Sequence, residues 1–202
     1  MFRLYFGNPG CGKTTFACKQ LKDLQSKRGK KKYGYKRFYS NFDNTLCKKI
    51  SLSGLGSWTL PFNSYLVVDE AGIQYNNRKF KSLPQSTIEW FKLHRHYGVD
   101  VDFISQSWED LDITIRRLVD EIWYLKKVGP FTVVRRIFKK VQVDENTHQI
   151  VDGYFLRKFF GIIFDFIIGL TSFKIFLRAP YYKYFDTYDA PKKPIKYDYD
   201  VI

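Results

Sequence analysis

Residues 7–14 read Gly7-Asn8-Pro9-Gly10-Cys11-Gly12-Lys13-Thr14, and this stretch decides the fold. It matches the phosphate-loop pattern G-x-x-x-x-G-K-S/T at every defined position. The apolar residues 2–6 before it predict a buried strand. Residues 14–25 after it carry helix formers without glycine or proline, and Gly29 is expected to stop that helix. Because the motif requires a strand before the loop and a helix after it, a chance match in an ordinary turn is disfavoured.

The chemistry of such a loop follows from its residue types. Glycines let consecutive backbone N–H groups turn inward around phosphate oxygens, and the helix that follows presents its positive N-terminus to the same anion. Lys13 is expected to reach the β- and γ-phosphates, and the hydroxyl of Thr14 to ligate Mg²⁺. The sequence therefore predicts a site for ATP and Mg²⁺ formed by Gly7, Asn8, Pro9, Gly10, Cys11, Gly12, Lys13, Thr14 and Thr15.

An acidic pair follows the apolar residues 64–68. Ligands of parallel sheets bind where the strands end, so Asp69 and Glu70 are expected beside the phosphate loop. Asp69 would hold the Mg²⁺ ion, and Glu70 would orient and deprotonate the attacking water. An acidic pair after a strand is often only a solvated loop, but the phosphate loop upstream favours the catalytic interpretation.

Three further polar residues are candidates for the reaction. Gln106 follows the strand predicted at residues 99–105 and could contact the γ-phosphate or its water, or it could simply cap the next turn. Arg116 and Arg117 end a short helical segment. Either could stabilise charge on the phosphate of a neighbouring subunit, although a bare arginine pair is more often surface charge.

Segments typical of strands and helices alternate along the chain. Strands are predicted at 35–41, 64–68, 99–105 and 121–127, and helical segments at 86–97, capped by Ser86, and at 108–118. Residues 133–143 and 150–155 predict a hairpin. The fold class is α/β, a P-loop nucleoside triphosphatase with a mostly parallel central sheet flanked by helices. We expect an ATPase core at 1–128, a β-rich and hydrophobic appendage at 129–189, and a tail at 190–202.

Charge and cysteine content indicate the partners and the compartment. The formal net charge of the 202 residues is +14, which favours nucleic acid or an anionic membrane as a partner. Cations and aromatic residues mix in residues 27–39. This run could follow a single-stranded nucleic acid, contact lipid headgroups or be a solvated basic loop. The three cysteines lack metal-ligand spacing and indicate a reducing cytoplasm.

The chain resembles the zonular occludens toxin-like ATPases, which include the gene I assembly proteins of filamentous bacteriophages. The resemblance covers nearly the whole chain, and its specific part is the pattern His-Arg-His-x-Gly-x-Asp. Besides the phosphate loop, it runs through Tyr39-Ser40-Asn41, Asp69-Glu70-Ala71, His94-Arg95-His96-Tyr97-Gly98-Val99-Asp100, Ser105-Gln106, Ile115-Arg116-Arg117-Leu118-Val119 and Tyr184-Phe185-Asp186-Thr187-Tyr188.

The resemblance implies a motor ATPase related to the FtsK/HerA group and active as a homo-oligomeric ring. Its task would be assembly and extrusion of a single-stranded DNA phage at the host inner membrane. The implied partners are phage single-stranded DNA or its nucleoprotein complex, and the membrane or membrane-embedded assembly proteins. His94 and His96 lie two apart on a predicted helix, which disfavours a shared metal. We expect Arg95 and one histidine to organise the sheet edge near the nucleotide.

Residues 159–177 are hydrophobic and nearly reach the ~20 residues of a membrane helix. However, Asp165 lies mid-way and Lys174 near the end, and a charge at the bilayer centre costs roughly 3 kcal/mol. We expect packed core or a surface that faces a membrane or partner, with a true span as the alternative. The protein would then work on the cytoplasmic side of the host membrane. The chain ends soon after Tyr188, before the transmembrane helix and periplasmic portion usual in gene I-type proteins.

Two other functions remain open from the sequence. A membrane-associated assembly scaffold could bind ATP with little turnover, although such a scaffold has no need of Glu70. A nucleotide kinase would need an arginine-rich lid and an acceptor pocket, and no such lid motif is apparent. The rate of ATP hydrolysis separates the scaffold from the motor.

Overall fold

The computed structural model describes residues 1–75, 84–143, 150–156 and 172–186, which form a β-sheet with helices against its faces. The strands are β1 (Phe2–Phe6), β2 (Arg37–Ser40), β3 (Lys48–Lys49), β4 (Ser64–Val68), β5 (Val99–Ser105), β6 (Glu121–Val128), β7 (Phe131–Val143), β8 (Ile150–Leu156) and β9 (Phe173–Leu177). The helices are α1 (Lys13–Gln25), α2 (Lys27–Tyr33), α3 (Ala71–Gln74), α4 (Gln85–Leu93), α5 (Ile113–Leu118) and a 3-10 helix (Ala179–Tyr184).

The strand order is β3-β2-β4-β5-β1-β6-β7-β8, and β9 also pairs with β7. All pairings from β3 to β6 are parallel, whereas β7 pairs antiparallel with β6, β8 and β9. The mostly parallel α/β fold and the hairpin of β7 and β8 are therefore confirmed. The C-terminal strands continue the same sheet, because β7 lies directly beside β6.

Burial on both faces explains why the central strands are almost continuously apolar. Every residue of β4 is buried, and alternate side chains enter two separate clusters. Leu66 and Val68 pack on the face that also holds Trp90 and Phe91 of α4. Tyr65 and Val67 pack on the other face, against α1. Parallel strands covered on both sides have this composition, since neither face meets water.

The first helix ends at Gln25, as the sequence predicts, but Gly29 is not the residue that stops it. Ser26 starts α2 by accepting a hydrogen bond on its side chain from the N–H of Gly29. Gly29 is therefore not a helix stop but a buried contact point within α2. A Cβ there would lie 2.2 Å from the carbonyl oxygen of Asp23. The glycine allows the two helices to pack closely at their junction.

Two later helices are shorter than predicted. The helix predicted at 86–97 is α4, which begins at Gln85 after Pro84, so Ser86 is not its cap. It ends at Leu93, and the chain continues through turns to Gly98, whose φ of 61° is left-handed. Of the helical segment predicted at 108–118, only α5 is helical, capped by the carboxylate of Asp112.

The end of the hydrophobic stretch belongs to the sheet. Residues 173–177 form β9, which pairs with β7 from Phe131 to Arg135. Residues 159–171, the tail at 190–202 and the last two residues of the match that ends at Tyr188 lie outside the described residues. Within the described ranges, the helices are too short or too polar to cross a bilayer.

The segment after β9 returns to the first helix. The 3-10 helix lies beside α1, where the Lys22 ammonium is 5.6 Å from the ring centre of Tyr184. The carbonyl oxygen of Tyr184 accepts a hydrogen bond from the N–H of Thr45 at 2.9 Å. The C-terminal part of the chain thereby packs against the helix that follows the phosphate loop.

Candidate nucleotide site

Three neighbouring strands deliver the site to one edge of the sheet. The phosphate loop follows β1, the acidic pair follows β4, and Gln106 follows β5, which lies between them. Because these strands are parallel, their carboxyl ends meet at the same edge. The structure thus brings together the loop, Asp69, Glu70 and Gln106, as their positions in the sequence predicted.

The phosphate loop is a turn that two left-handed glycines make possible. Gly10 has φ 72° and Gly12 has φ 91°, values that a residue with a Cβ adopts only with strain. Lys13 is buried, and its ammonium donates to the carbonyl oxygens of Gly7 at 2.8 Å and Asn8 at 3.2 Å. These two hydrogen bonds hold the Lys13 ammonium against the loop, where the phosphate groups of a nucleotide would also bind.

Thr14 and Asp69 form a pair of oxygen ligands. The Thr14 hydroxyl donates to Asp69 Oδ2 at 2.7 Å, and the N–H of Glu70 donates to Asp69 Oδ1 at 2.9 Å. Burial raises the pKa of Asp69, against the effect of the Thr14 hydrogen bond. A nearby cation would offset this desolvation. Hydroxyl and carboxylate oxygens are hard ligands, so the pair fits Mg²⁺.

Asn41 holds the acidic pair in place, although no specific role was predicted for it from the sequence. It follows β2, and its side chain makes two hydrogen bonds to the backbone of Asp69. Its Nδ2 donates to the Asp69 carbonyl at 2.8 Å, and its Oδ1 accepts from the Asp69 N–H at 2.7 Å. The sequence signal that could have identified Asn41 was its position at the end of the strand predicted at residues 35–41.

Glu70 lies in a strained position beside Gln106. Its φ is 48°, a left-handed value that is uncommon for a residue other than glycine. The Gln106 amide nitrogen is 3.4 Å from each carboxylate oxygen of Glu70. Backbone strain of this kind persists where the surroundings impose it, as at functional sites. The geometry places a carboxylate and an amide together, next to Asp69.

The arginine pair lies in the last turn of α5. Arg116 is partly buried, and its guanidinium lies 5.6 Å from the ring centre of Trp108. Arg117 is exposed. An exposed arginine is available to a neighbouring subunit, so a role for Arg116 or Arg117 in trans stays a prediction.

A threonine from the C-terminal strands supports the phosphate loop. Thr132, on β7, donates its hydroxyl proton to the carbonyl oxygen of Cys11 at 2.6 Å. A Cβ on Gly12 would lie 2.6 Å from the Thr132 hydroxyl oxygen. Gly12 is thus needed both for its φ and for this close approach. Sequence reasoning missed Thr132, because it lies more than a hundred residues beyond the loop.

Arg178 supports the loop from a second direction and was also missed. It is buried directly after β9. Its Nη1 donates to the Gly10 carbonyl at 3.1 Å, its Nε donates to the Pro130 carbonyl at 3.3 Å, and its Nη2 donates to the Gly129 carbonyl. One guanidinium therefore ties the phosphate loop to the turn between β6 and β7.

Replacement of Arg178 by alanine is expected to weaken nucleotide binding about tenfold, a loss of about 1.4 kcal/mol. The change removes the side-chain donor of the Gly10 and Gly129 carbonyl groups, whereas the Pro130 carbonyl still accepts from the backbone N–H of Arg178 at 3.2 Å. A hydrogen bond to a charged group contributes about 1.5–3 kcal/mol, so the phosphate loop loses part of what holds it in shape. Binding of a fluorescent ATP analogue measures the change in nucleotide affinity, and thermal unfolding measures the change in stability. We expect a lower Tm together with weaker binding, since the same contacts hold the loop and the fold.

The matched control is Lys183→Ala, which removes an exposed cation five residues away. It should leave both readouts unchanged. Arg178→Lys should restore only part of the binding, since an ammonium cannot span three carbonyl groups in a fixed fork. Nucleotide affinity of Arg178→Ala equal to that of the unmutated protein would show that the loop holds its shape without this residue.

The histidine-rich stretch does not lie where the sequence indicated. Arg95 pairs with Asp120, whose carboxylate also accepts from the N–H of Phe2 at 2.7 Å. This is the start of β1, at the end opposite the phosphate loop, so the expectation of a place near the nucleotide was wrong. His94 is buried against Phe2, and burial lowers its pKa. Among the described residues, no three metal-ligating side chains are grouped to hold an ion.

Comparison with known proteins places the chain in a family. The family model "Zonular occludens toxin (Zot)" matches residues 41–158. The solved N-terminal domain of zonular occludens toxin from Neisseria meningitidis is 20% identical, with a TM-score of 0.54; the match covers 81% of this chain and 96% of that one. A search of curated proteins gives no match.

Viral packaging proteins are also similar in structure. The genome packaging NTPase B204 from Sulfolobus turreted icosahedral virus 2 in complex with ATP-gammaS is 13% identical, covers 75% of this chain and 95% of its own, and has a TM-score of 0.44. Its complex with AMP is 12% identical with the same coverage and a TM-score of 0.46.

The family model spans more than half of the 202 residues. The chain belongs to the zonular occludens toxin (Zot) family.

Proposed function

We propose that this protein is an ATP-hydrolysing motor for the assembly and extrusion of a filamentous, single-stranded DNA phage at the host inner membrane. The observation that carries the proposal is the contact of 2.7 Å between Thr14 and Asp69, with Glu70 next in the chain. It joins a phosphate loop to an acidic strand end, within a protein of the Zot family.

Each residue of the site would have a distinct role in hydrolysis. The N–H groups of the loop and the ammonium of Lys13 would bind the β- and γ-phosphates, and Asp69 with Thr14 would hold Mg²⁺. When bound, Mg²⁺ would neutralise charge on the phosphates. Glu70 would orient a water molecule and accept its proton, while the Gln106 amide would fix the Glu70 carboxylate and the water.

The motor would work as a homo-oligomeric ring. Arg116 or Arg117 of one subunit would stabilise transition-state charge at the site of its neighbour, as arginine residues in trans do in other P-loop enzymes. The nucleotide site would face the host cytoplasm, where Mg-ATP is available. Phage single-stranded DNA, or its complex with protein, would be the substrate that moves.

The rate of ATP hydrolysis with and without single-stranded DNA tests this proposal. We expect Mg²⁺-dependent turnover that single-stranded DNA increases several-fold, since a motor couples hydrolysis to its substrate. Double-stranded DNA of equal length is the control and should stimulate less. Tight ATP binding without turnover, under all these conditions, would instead favour an assembly scaffold and overturn the motor.

A further inference from the structure

A cavity of about 620 Å³ lies at the opposite end of the sheet from the phosphate loop. Its walls are the C-terminal half of α1, the helix α2 and the first residues of β1 and β6. Arg3 of β1 lines it, and four residues of extended strand separate Arg3 from Gly7, roughly 13 Å. The volume lies within the usual range of ligand-binding sites.

The walls of the cavity are strongly basic. Two carboxylates, those of Asp23 and Glu121, also line it. The cations outnumber them and come from four elements of the fold, β1, α2, β7 and β9: Arg3, Arg28, Lys32, Arg136 and Lys174. Positive charge gathered in a concave site with low-dielectric walls attracts an anionic ligand.

Some of these cations are already neutralised. Arg3 donates to Asp102 at 2.7 Å and to the hydroxyl of Tyr65 at 2.9 Å, and Arg136 pairs with Glu121 at 3.1 Å. Arg3 and Arg136 therefore carry little uncompensated charge towards a ligand.

The other three cations are available to a ligand. Within the ranges that the structure describes, Arg28, Lys32 and Lys174 have no carboxylate within ion-pair distance. Burial lowers the pKa of Lys174, and the nearby Arg3 adds to this effect. An anion in the cavity would relieve both.

Aromatic rings complete the site. Tyr33, at the end of α2, is 48% exposed and stacks on Tyr35 with ring centres 6.0 Å apart and planes inclined by 11°. Trp123 also lines the cavity, and the Lys174 ammonium is 4.6 Å from its ring centre. Of these two rings Tyr33 is the exposed one, since Trp123 is only 3% exposed, and the Lys32 ammonium lies 4.8 Å from the ring centre of Tyr33. An exposed aromatic ring next to cations that contact phosphates is the combination used to bind single-stranded nucleic acid without sequence preference.

We propose that this cavity binds a segment of single-stranded DNA, with phosphates at Arg28, Lys32 and Lys174 and a base stacked on Tyr33. The inference rests on the proposed function and names where its DNA would bind. Single-stranded DNA is favoured over a lipid surface, because the basic groups stand beside an exposed aromatic ring on which a base can stack, and a headgroup phosphate has no use for such a ring.

The first helix connects this cavity to the nucleotide. Its N-terminal residues Lys13 and Thr14 belong to the phosphate loop, and its residues Gln20 and Leu24 line the cavity. A helix rises 1.5 Å per residue, so Thr14 and Leu24 lie roughly 15 Å apart along one rigid element. DNA in the cavity would therefore contact the same helix whose N-terminus binds the phosphates of ATP.

The test compares two double variants of α2 that remove equal charge. Arg28→Ala with Lys32→Ala removes the two exposed cations that line the cavity, one helical turn apart. Lys30→Ala with Lys31→Ala removes two exposed cations of the same helix that do not line it. Binding of a fluorescent oligothymidylate is measured by anisotropy over a series of salt concentrations, and each variant is checked by circular dichroism and ATP hydrolysis without DNA.

We expect the cavity variant to bind the oligonucleotide at least about tenfold more weakly. The slope of log affinity against log salt should fall by about 1.4, since each phosphate contact of a single strand contributes about 0.7. Tyr33→Leu should weaken binding by about tenfold as well, because it removes the stacking ring but no charge. The control double variant should bind almost as the unmutated protein does.

Equal losses in the two double variants, or none in the cavity variant, would overturn the site. So would a loss of binding to vesicles of phosphatidylglycerol in the cavity variant with DNA binding unchanged, which would mark a lipid-binding surface. ATP hydrolysis without DNA is measured in the same samples. If hydrolysis is normal and the cavity variant binds DNA normally, this inference fails while the ATPase proposal stands. If the unmutated protein hydrolyses no ATP, the proposed function itself fails.

Discussion

Glu70→Gln is expected to bind ATP with nearly unmutated affinity and to lower kcat by about 10²–10⁴, the usual contribution of a general base. Glutamine keeps the size of the side chain and can still contact Gln106, whose amide nitrogen lies 3.4 Å from both Glu70 oxygens. It has no basic oxygen to accept a proton from water. Equilibrium binding of ATP and single-turnover hydrolysis measure the two properties separately.

The control is Glu109→Gln, which removes one carboxylate from an exposed residue three positions beyond Gln106. Glu109→Gln should leave both ATP affinity and hydrolysis rate unchanged. A lower rate in this variant as well would mean that the loss of any negative charge near the site slows hydrolysis. Hydrolysis by Glu70→Gln at the unmutated rate would show that another group activates the water. The assignment of Glu70 would then be wrong, while the phosphate loop would remain.

The phosphate-loop site could be predicted from sequence because its determinants are local. The loop, its strand and its helix are contiguous, and Gly10 and Gly12 have the left-handed φ values that the motif requires. The strand end at Asp69 was recognisable because β4 is apolar from Tyr65 to Val68, as buried parallel strands are. The strand end at Gln106 was recognisable from the residues Phe103 and Ile104 shortly before it. Sequence alone therefore predicted which side chains meet at this edge of the sheet.

The supports of the site could not be predicted, because they are not local. Thr132 bonds Cys11 across 121 positions, and Arg178 bonds Gly10 across 168. Neither residue belongs to a motif with a spacing that a pattern could find. Their position depends on β7 and β9 folding back against the sheet, which is a result of tertiary packing.

The role predicted for Gly29 as a helix stop was wrong for a related reason. Gly29 has a strong local tendency to end a helix, but here it lies inside α2, where only a residue without Cβ fits against the Asp23 carbonyl. The helix boundary falls instead at Ser26, which caps α2. Packing between two helices thus overrode the propensity of a single residue.

Lys13→Met is expected to have the largest effect of any single substitution at the site: no measurable hydrolysis, and ATP affinity lowered by about 100-fold or more. Lys13 is the buried cation of the loop, and hydrogen bonds between charged groups contribute about 1.5–3 kcal/mol each. Methionine keeps the apolar stem of the side chain, so the fold should be preserved and a loss of binding can be assigned to the missing charge.

Isothermal titration with a non-hydrolysable ATP analogue measures this loss, and thermal unfolding without nucleotide checks the fold. Lys19→Met is the matched control, since it removes a lysine of the same helix that pairs with Asp23. That variant should bind ATP normally. Nucleotide bound by Lys13→Met as tightly as by the unmutated protein would mean that the loop after β1 does not hold the phosphates. Together with Glu70→Gln, this variant separates binding from chemistry, because only the loss of Lys13 should reduce the affinity for ATP.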